Sequence, residues 1–228
     1  MKHIPEHIVL FPDGNRRWAQ EKGLSSFEGH LAGKNKFNDF LGWCKQAGVK
    51  VITVFGFSSE NWKRSPEEVN YLMEMFEKNL GEGIDDFNRE QVRVKIIGQK
   101  YVLPKTLQEV IETVEKATAH NKKMHLNLAV SYGGKWDIIN AVKEIVEEKT
   151  SAKDITEEYF ESHLSTAGLP TPDLVIRAGG EMRLSNFLLW QAAYSELYFS
   201  PKLWPDFSKQ DFYAALEEFD SRQRRYGK

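Results

Sequence analysis

The sequence predicts one α/β domain built on a central, mostly parallel, six-stranded sheet flanked by helices. Three observations lead there. Short apolar runs of strand length alternate with segments of helical periodicity, as when strands are joined by helical crossovers. The first run, Ile8-Val9-Leu10-Phe11, is apolar at every position, which suits a strand buried on both faces. The chain has 228 residues, 41% hydrophobic and 28% charged, enough for one sizeable core and marginal for two. No linker, repeat or low-complexity stretch divides it, so residues 1–228 are read as a single domain.

After Ile8–Phe11, the second expected strand is Val49–Phe57, rich in β-branched and aromatic residues. Ser65-Pro66-Glu67-Glu68 reads as an N-cap, a proline at the first helical position and a capping-box glutamate. Val69, Leu72, Met73, Phe76 and Leu80 then follow helical spacing. Val92–Ile97 is the third strand and stops at Gly98. Leu107, Val110, Ile111 and Val114 mark the next helix, and Leu126–Val130 the fourth strand. Trp136–Val146 reads as a helix with Ile138, Ile139, Val142 and Val146 on its apolar stripe. Glu147–Lys153 reads as an exposed loop, and Thr156-Glu157-Glu158 caps a short helix. Leu174–Ile176 and Leu197–Phe199 complete the six strands. Ser208, with Asp211 three residues on, opens a last helix carrying Phe212, Leu216 and Phe219 into a basic tail.

Composition excludes several classes. Mean hydropathy is −0.52 and no long apolar run occurs, which argues against a membrane span. Ile8–Phe11 is too short for a signal-peptide core, so a cytoplasmic location is expected. A lone cysteine, Cys44, rules out an internal disulfide framework and a multi-cysteine zinc site. The net charge of −2 gives no basic field of the kind nucleic-acid binders show. Arginine is scarce and clustered: Arg16 and Arg17, Arg64, Arg177 and Arg183, and Arg222, Arg224 and Arg225 account for eight of ten. Arginine suits bidentate grip on phosphate or carboxylate.

Three of these clusters follow strands. Phe11 runs into Pro12-Asp13-Gly14-Asn15-Arg16-Arg17-Trp18, and ligands of open α/β sheets bind beyond strand carboxyl ends. Asp13 offers a hard oxygen ligand for Mg²⁺, while the arginines and free backbone N–H groups suit a diphosphate. Phe57 is followed by Ser58-Ser59-Glu60-Asn61-Trp62 and Lys63-Arg64. Arg177-Ala178-Gly179-Gly180-Glu181-Met182-Arg183-Leu184-Ser185 resembles an anion cradle without Walker spacing. Neither a P-loop nor a dinucleotide fingerprint is present. From the residues alone, this is an α/β enzyme binding one or two diphosphates.

Asp-Gly-Asn-Arg-Arg-Trp (13–18), Gly29-His30, Phe-Ser-Ser-Glu-Asn-Trp (57–62) with Arg64, and the segment 177–191 with Glu196 are similar to the signature segments of cis-prenyltransferases, the undecaprenyl diphosphate synthase-like family. The match runs in order from Ile8 to Gly227. The resemblance implies addition of isopentenyl diphosphate to an allylic prenyl diphosphate, with a new cis double bond and release of diphosphate. It also implies Mg²⁺, a homodimer, a hydrophobic tunnel for the growing chain and a peripheral membrane contact for product release. By position, Asp13 resembles the Mg²⁺ ligand and central catalytic residue, and Glu196 a second metal-linked carboxylate. Gly14, Asn15, Arg16, Arg17 and Trp18, with Ser26 and His30, resemble the allylic diphosphate site. Arg177, Arg183, Leu184 and Ser185 resemble the isopentenyl diphosphate site. Ser58, Ser59, Glu60, Asn61, Trp62 and Arg64 resemble the segment between the two substrates, Asn61 and Arg64 standing with the catalytic group. The tail Arg224-Arg225-Tyr226-Gly227 resembles an Arg-x-Gly ending that reaches a partner's site.

Departures from the family pattern fall at Pro12, Met182, Gly56 and above all Ser26, where an arginine is usual. With Glu28 nearby, Ser26 implies a weaker grip on the allylic diphosphate. Two further readings stand beside a polyprenyl synthase. One is a short-chain or irregular coupling enzyme using dimethylallyl-size substrates, separated by primer preference. The other is a non-catalytic partner subunit, which would have no need of Asp13, Asn61, Arg64, Arg177 and Arg183 together.

Overall fold

The computed structural model describes Met1 and residues 3–222; the Arg224–Gly227 ending lies outside the described residues. Strands β1 (His7–Phe11), β2 (Val51–Ser58), β3 (Val92–Ile97), β4 (Met124–Tyr132), β5 (Leu174–Arg177) and β6 (Glu196–Phe199) form one sheet in the order β3-β4-β2-β1-β5-β6. All five pairings are parallel. Ile8 lies opposite Ile52 on one side and Leu174 on the other. The chain builds outward from β1 in one direction up to β4, then returns to its other side with β5. The loops leaving β1 and β2 therefore part from that leaving β5 around the end of β1, where such sheets open a binding crevice.

The helices are α1 (Asn15–Glu21), α2 (Ser26–Ala47), α3 (Pro66–Glu82), α4 (Ile84–Arg89), α5 (Lys105–Thr118), α6 (Gly134–Glu147), α7 (Glu157–Glu161) and α8 (Lys209–Ser221). One sheet face carries Ile8, Leu10, Ile52, Val94 and Leu126, packed under Phe40 of α2, Leu72 of α3, Leu107 of α5 and Phe212 of α8. The other carries Val9, Phe11 and Ala129 under Phe187 and Leu188. Burial of side chains this size contributes about 1.5–3 kcal/mol each, which is why apolar strands need cover on both faces.

The expected caps form at Ser65 and Ser208, where each hydroxyl accepts the N–H three residues on. The longest helix, α2, shows no clean stripe in sequence. It starts on a Ser25–Glu28 capping box and ends at Gly48 with φ 88°. Gly29 and Gly33 bring α1 directly onto it, since a Cβ at either would stand 2.3 Å from Asn15. The capping box also settles where Glu28 points: its carboxylate turns back to the N–H and hydroxyl of Ser25, which favour its ionised form.

Helix α6 corrects an expectation. Ile139, Val142 and Val146 face outward, Val146 being 69% exposed, while Asp137, Ala141 and Ile145 form the buried face. The expected Glu147–Lys153 loop is exposed apart from half-buried Thr150, but Glu147 is the last residue of α6 and Ala152–Asp154 form a short 3₁₀ turn. Among the described residues, no helix is long and apolar enough to cross a membrane.

Candidate active site

The ends of β1 and β5 meet through one ion pair. Phe11 pairs with Arg177 in register, and Arg177 donates from Nε and Nη2 to Asp13 Oδ2 at 2.9 and 2.7 Å. Its Nη1 donates to Ser185 Oγ at 2.9 Å and to the carbonyl of Arg183. The guanidinium, 5% exposed, also lies 4.8 Å over the Phe11 ring. Asp13 Oδ1 has no hydrogen-bond partner among the described residues, and the carboxyl is a third exposed. Gly14 has φ 106°, which only glycine adopts without strain, and a Cβ there would meet Leu203 at 2.8 Å. Arg17 Nη2 donates to Gly179 O at 2.7 Å, so the first and third motif segments are tied directly.

A second cluster lies between α1, α2 and α3, centred on Glu68. Its Oε1 accepts from Arg64 Nη1 at 3.0 Å and meets His30 Nε2 at 3.1 Å. Its Oε2 lies 3.6 Å from Arg16 Nη1. The Glu68 side chain is 8% exposed. Burial alone would raise its carboxyl, but the His30 bond and the charges of Arg64 and Arg16 outweigh that and hold it below the ordinary range. Burial pushes His30 below its ordinary value, partly opposed by Glu68.

The segment after β2 is a short helical turn. Ser58 N–H donates to Asn61 Oδ1 at 3.0 Å, which fixes the amide and leaves its NH₂ free to face a ligand. Trp62 Nε1 donates to Ser131 Oγ at 2.8 Å, and Glu60 accepts from Asn186 Nδ2 at 2.9 Å. Ser185, Asn186 and Leu188 all have positive φ, a strained run that aims Ser185 at Arg177.

These clusters open into one cavity of about 1750 Å³. Asp13, Gly14, Asn15, Arg16, Arg17, His30, Ser58, Glu60, Asn61, Arg64, Arg177 and Ser185 line its polar end. Phe37, Leu41, Leu72, Met75, Phe76, Gly56 and Leu128 line the middle, and Lys45, Lys50 and Lys123 the far end. The cavity thus follows β2 from one end to the other, roughly 26 Å for eight residues at about 3.3 Å each. Pairing slips beside Gly56, and a Cβ there would meet Leu128 Cδ1 at 2.8 Å and Phe76 Cζ at 3.4 Å.

Several expected site residues lie off the cavity wall. Trp18 donates to Asp206 Oδ1 and anchors α1. Ser26 sits half-buried at the start of α2. Ser59 bonds Glu60, Leu184 packs on the second core, and the Arg183 side chain, 61% exposed, pairs among the described residues only with Glu181. Glu196 stands apart from the other expected residues of this chain. It heads β6, level with Leu174 and Ile8, three residue steps or about 10 Å below the edge where Asp13 sits. Its carboxylate pairs with Arg222 at 2.9 Å, so within this chain it cannot share a cation with Asp13. Among the described residues no group of three or more metal-ligating side chains occurs. Glu68 was not expected in the site at all.

An arginine-lined mouth with one free carboxylate oxygen, opening into a long apolar cavity on a parallel sheet, defines a protein that holds a charged head and an apolar tail. The comparisons agree. The family profile described as putative undecaprenyl diphosphate synthase matches residues 11–227. An isoprenyl transferase of Thermotoga maritima is 45% identical over 98% of this chain and 97% of its own. An undecaprenyl-diphosphate synthase of Legionella pneumophila, farnesyl-diphosphate specific, is 43% identical over 100% and 98%. The crystal structure of lavandulyl diphosphate synthase from Lavandula x intermedia, in complex with dimethylallyl diphosphate, superposes with a TM-score of 0.94 at 39% identity over 99% of both chains. The chain belongs to the undecaprenyl diphosphate synthase family of prenyltransferases.

Proposed function

We propose that this enzyme condenses isopentenyl diphosphate with an allylic prenyl diphosphate, forms a cis double bond and releases diphosphate, most simply as a polyprenyl diphosphate synthase. The observation that carries the reading is the continuity of the cationic mouth with the apolar cavity along β2, which fits a diphosphate head and a lengthening tail. The allylic diphosphate lies among Arg16, Arg17, His30, Arg64 and the N–H groups of Gly14 and Asn15. Isopentenyl diphosphate lies toward Arg183 and Ser185. As the allylic C–O bond breaks, charge grows on the leaving diphosphate, and the arginines are placed to stabilise it. The Asn61 amide, fixed by Ser58, orients substrate between the two sites.

Mg²⁺ fits Asp13 as a single-carboxylate ligand. This cation commonly binds through one or two carboxylates and substrate phosphates, and Oδ2 is held by Arg177 while Oδ1 is free. When bound it would neutralise diphosphate charge. The outward apolar face of α6 (Ile139, Val142, Val146) supports a homodimer, with the enzyme acting in the cytoplasm and its product passing to a membrane surface.

The lavandulyl synthase likeness and Ser26 favour a second reading, irregular coupling of dimethylallyl-size units. Mass spectrometry of products made from isopentenyl diphosphate with dimethylallyl, geranyl or farnesyl diphosphate decides between them. Long cis products from farnesyl diphosphate, abolished by EDTA and by Asp13→Ala, are expected. Branched products from dimethylallyl diphosphate alone would replace the first reading with the second. No turnover under any condition leaves only the non-catalytic subunit.

A further inference from the structure

Glu68 of α3 lies behind the cavity wall, where its carboxylate is held by three basic groups, each of which lines the cavity itself. His30 from α2, Arg64 from the loop before α3 and Arg16 from α1 all converge on it. Asp13 is the other acid felt by Arg64. A carboxylate buried to this degree needs cations and hydrogen bonds in good geometry, and removing it would leave its partners aimless. Three elements that frame the mouth are therefore pinned by one side chain.

The pin also decides what His30 can offer. With Nε2 against Glu68, the remaining nitrogen, Nδ1, has no partner among the described residues, and His30 lines the cavity. If Nε2–H donates to Glu68 in the neutral ring, Nδ1 is an acceptor and repels a phosphate oxygen. Only the doubly protonated ring donates from both nitrogens, to Glu68 and to a diphosphate. In the free protein, burial and the Arg16 and Arg64 charges work against that proton, with Glu68 opposing them.

We propose that Glu68 is a positioning residue for the allylic diphosphate, holding Arg64 and His30 in place and supporting the proton that lets His30 grip the ligand. This rests on the prenyl-transfer reading of the same site. Arg16, 60% exposed and 3.6 Å away, swings to the diphosphate, whereas Arg64 stays on Glu68 and presents its remaining N–H groups. Primer binding takes up a proton at His30, and isopentenyl diphosphate binding does not.

The test compares wild type, Glu68→Gln and Glu68→Asp in steady-state assays and in binding of farnesyl thiodiphosphate, an unreactive primer, from pH 6 to 9. Glu68→Gln should raise the KM for farnesyl diphosphate and the Kd for the thio analogue about tenfold, with the KM for isopentenyl diphosphate within twofold. Its primer affinity should begin to fall at lower pH than in wild type, because the imidazolium has lost its counter-ion. Glu68→Asp keeps the charge and should recover part of the affinity and the wild-type pH profile. Equal loss of both substrates with an unmoved pH profile, or no change in primer binding, would overturn the proposal. If wild type binds the thio analogue but forms no product, the prenyl-transfer reading fails separately.

Discussion

Arg177→Lys tests whether this guanidinium serves the substrate or the protein. The fork is spent internally: Nε and Nη2 hold Asp13, and Nη1 holds Ser185 and the Arg183 carbonyl. Lysine keeps the charge and one direction of contact, either toward Asp13 or toward Ser185. At least two charge-assisted bonds are lost, each contributing about 1.5–3 kcal/mol, and the ammonium restores part. The net cost should be about 3 kcal/mol, with no discount for solvent because the side chain is 5% exposed. For a chain of this length about 2–4 °C is lost per kcal/mol, so Tm should fall by roughly 6–12 °C. The activity loss should appear mainly in kcat, because Asp13 is no longer aimed. Arg183→Lys is the contrast, since the Arg183 side chain is exposed and among the described residues pairs only with Glu181. Its Tm should stay within a degree or two while the KM for isopentenyl diphosphate rises. Thermal melts and initial rates on both variants suffice. A wild-type Tm for Arg177→Lys, with only that KM raised, would refute the argument and return Arg177 to the substrate.

Gly56→Ala places a Cβ 2.8 Å from the movable Leu128 Cδ1 and 3.2 Å from the Ala129 carbonyl, so a stability loss of about 1 kcal/mol and a shorter product ladder at similar initial rate are expected; Gly56→Leu overpacks the strand instead. His7 is wholly buried, with Nδ1 on the Pro170 carbonyl and Nε2 on Thr53, and desolvation lowers its pKa from 6.5 to about 4. Between those values the unfolded chain binds the extra proton. Its contribution is therefore complete above pH 6.5 and lost as pH falls to 4, about 3 kcal/mol in all. Urea melts should show a steeper acid loss in wild type than in His7→Gln, and parallel curves would contradict this. Ser26→Arg should lower the KM for dimethylallyl diphosphate more than for farnesyl diphosphate, whose tail burial at about 25 cal/mol per Å² already compensates a weak head site. Equal gains for both primers would show that residue 26 does not reach the diphosphate.

The strands were legible because inner strands of a parallel sheet covered on both faces demand short, wholly apolar runs, as in Ile8–Phe11 and Leu174–Ile176, while the edge strand Val92–Ile97 alternates, with Arg93 exposed and Lys95 half-buried; all three agree with the structure within a residue. Helix α2 was not, because its glycines at 29, 33 and 42 and its exposed Phe27 and Leu31 blur the periodicity. Those features have another use. Gly29 and Gly33 exist for the close approach of α1, a tertiary demand that no window of local sequence contains. Helix α6 fails differently. Its sequence offers two faces, Ile139-Val142-Val146 and Asp137-Ala141-Ile145, and periodicity favours the more apolar one. The sheet takes the smaller face because Asp137 is satisfied there by Tyr132, Ser165 and Gln191.

The same distinction governs the site. Asp13, Asn61 and Arg177 were legible because strand ends in this architecture must converge, so their neighbourhood follows from topology. Glu68 reads locally as the acid of a capping box with Ser65, and half of that is right: Ser65 does accept the Glu68 N–H. The box needs the carboxylate to return to the N-cap, and it goes to His30 and Arg64 instead. A capped helix needs only one of the two bonds, so the carboxylate was free to serve another purpose without loss of the start signal. Glu196 shows the converse. Its motif places it with the site, but parallel register sets it level with Ile8, at the wrong end of the sheet, and Arg222 neutralises it there. Spacing along the chain can thus bring residues to a strand, but which end of that strand they occupy is decided by register. A carboxylate at the head of β6 can reach the chemistry at the strand tails only on a different chain.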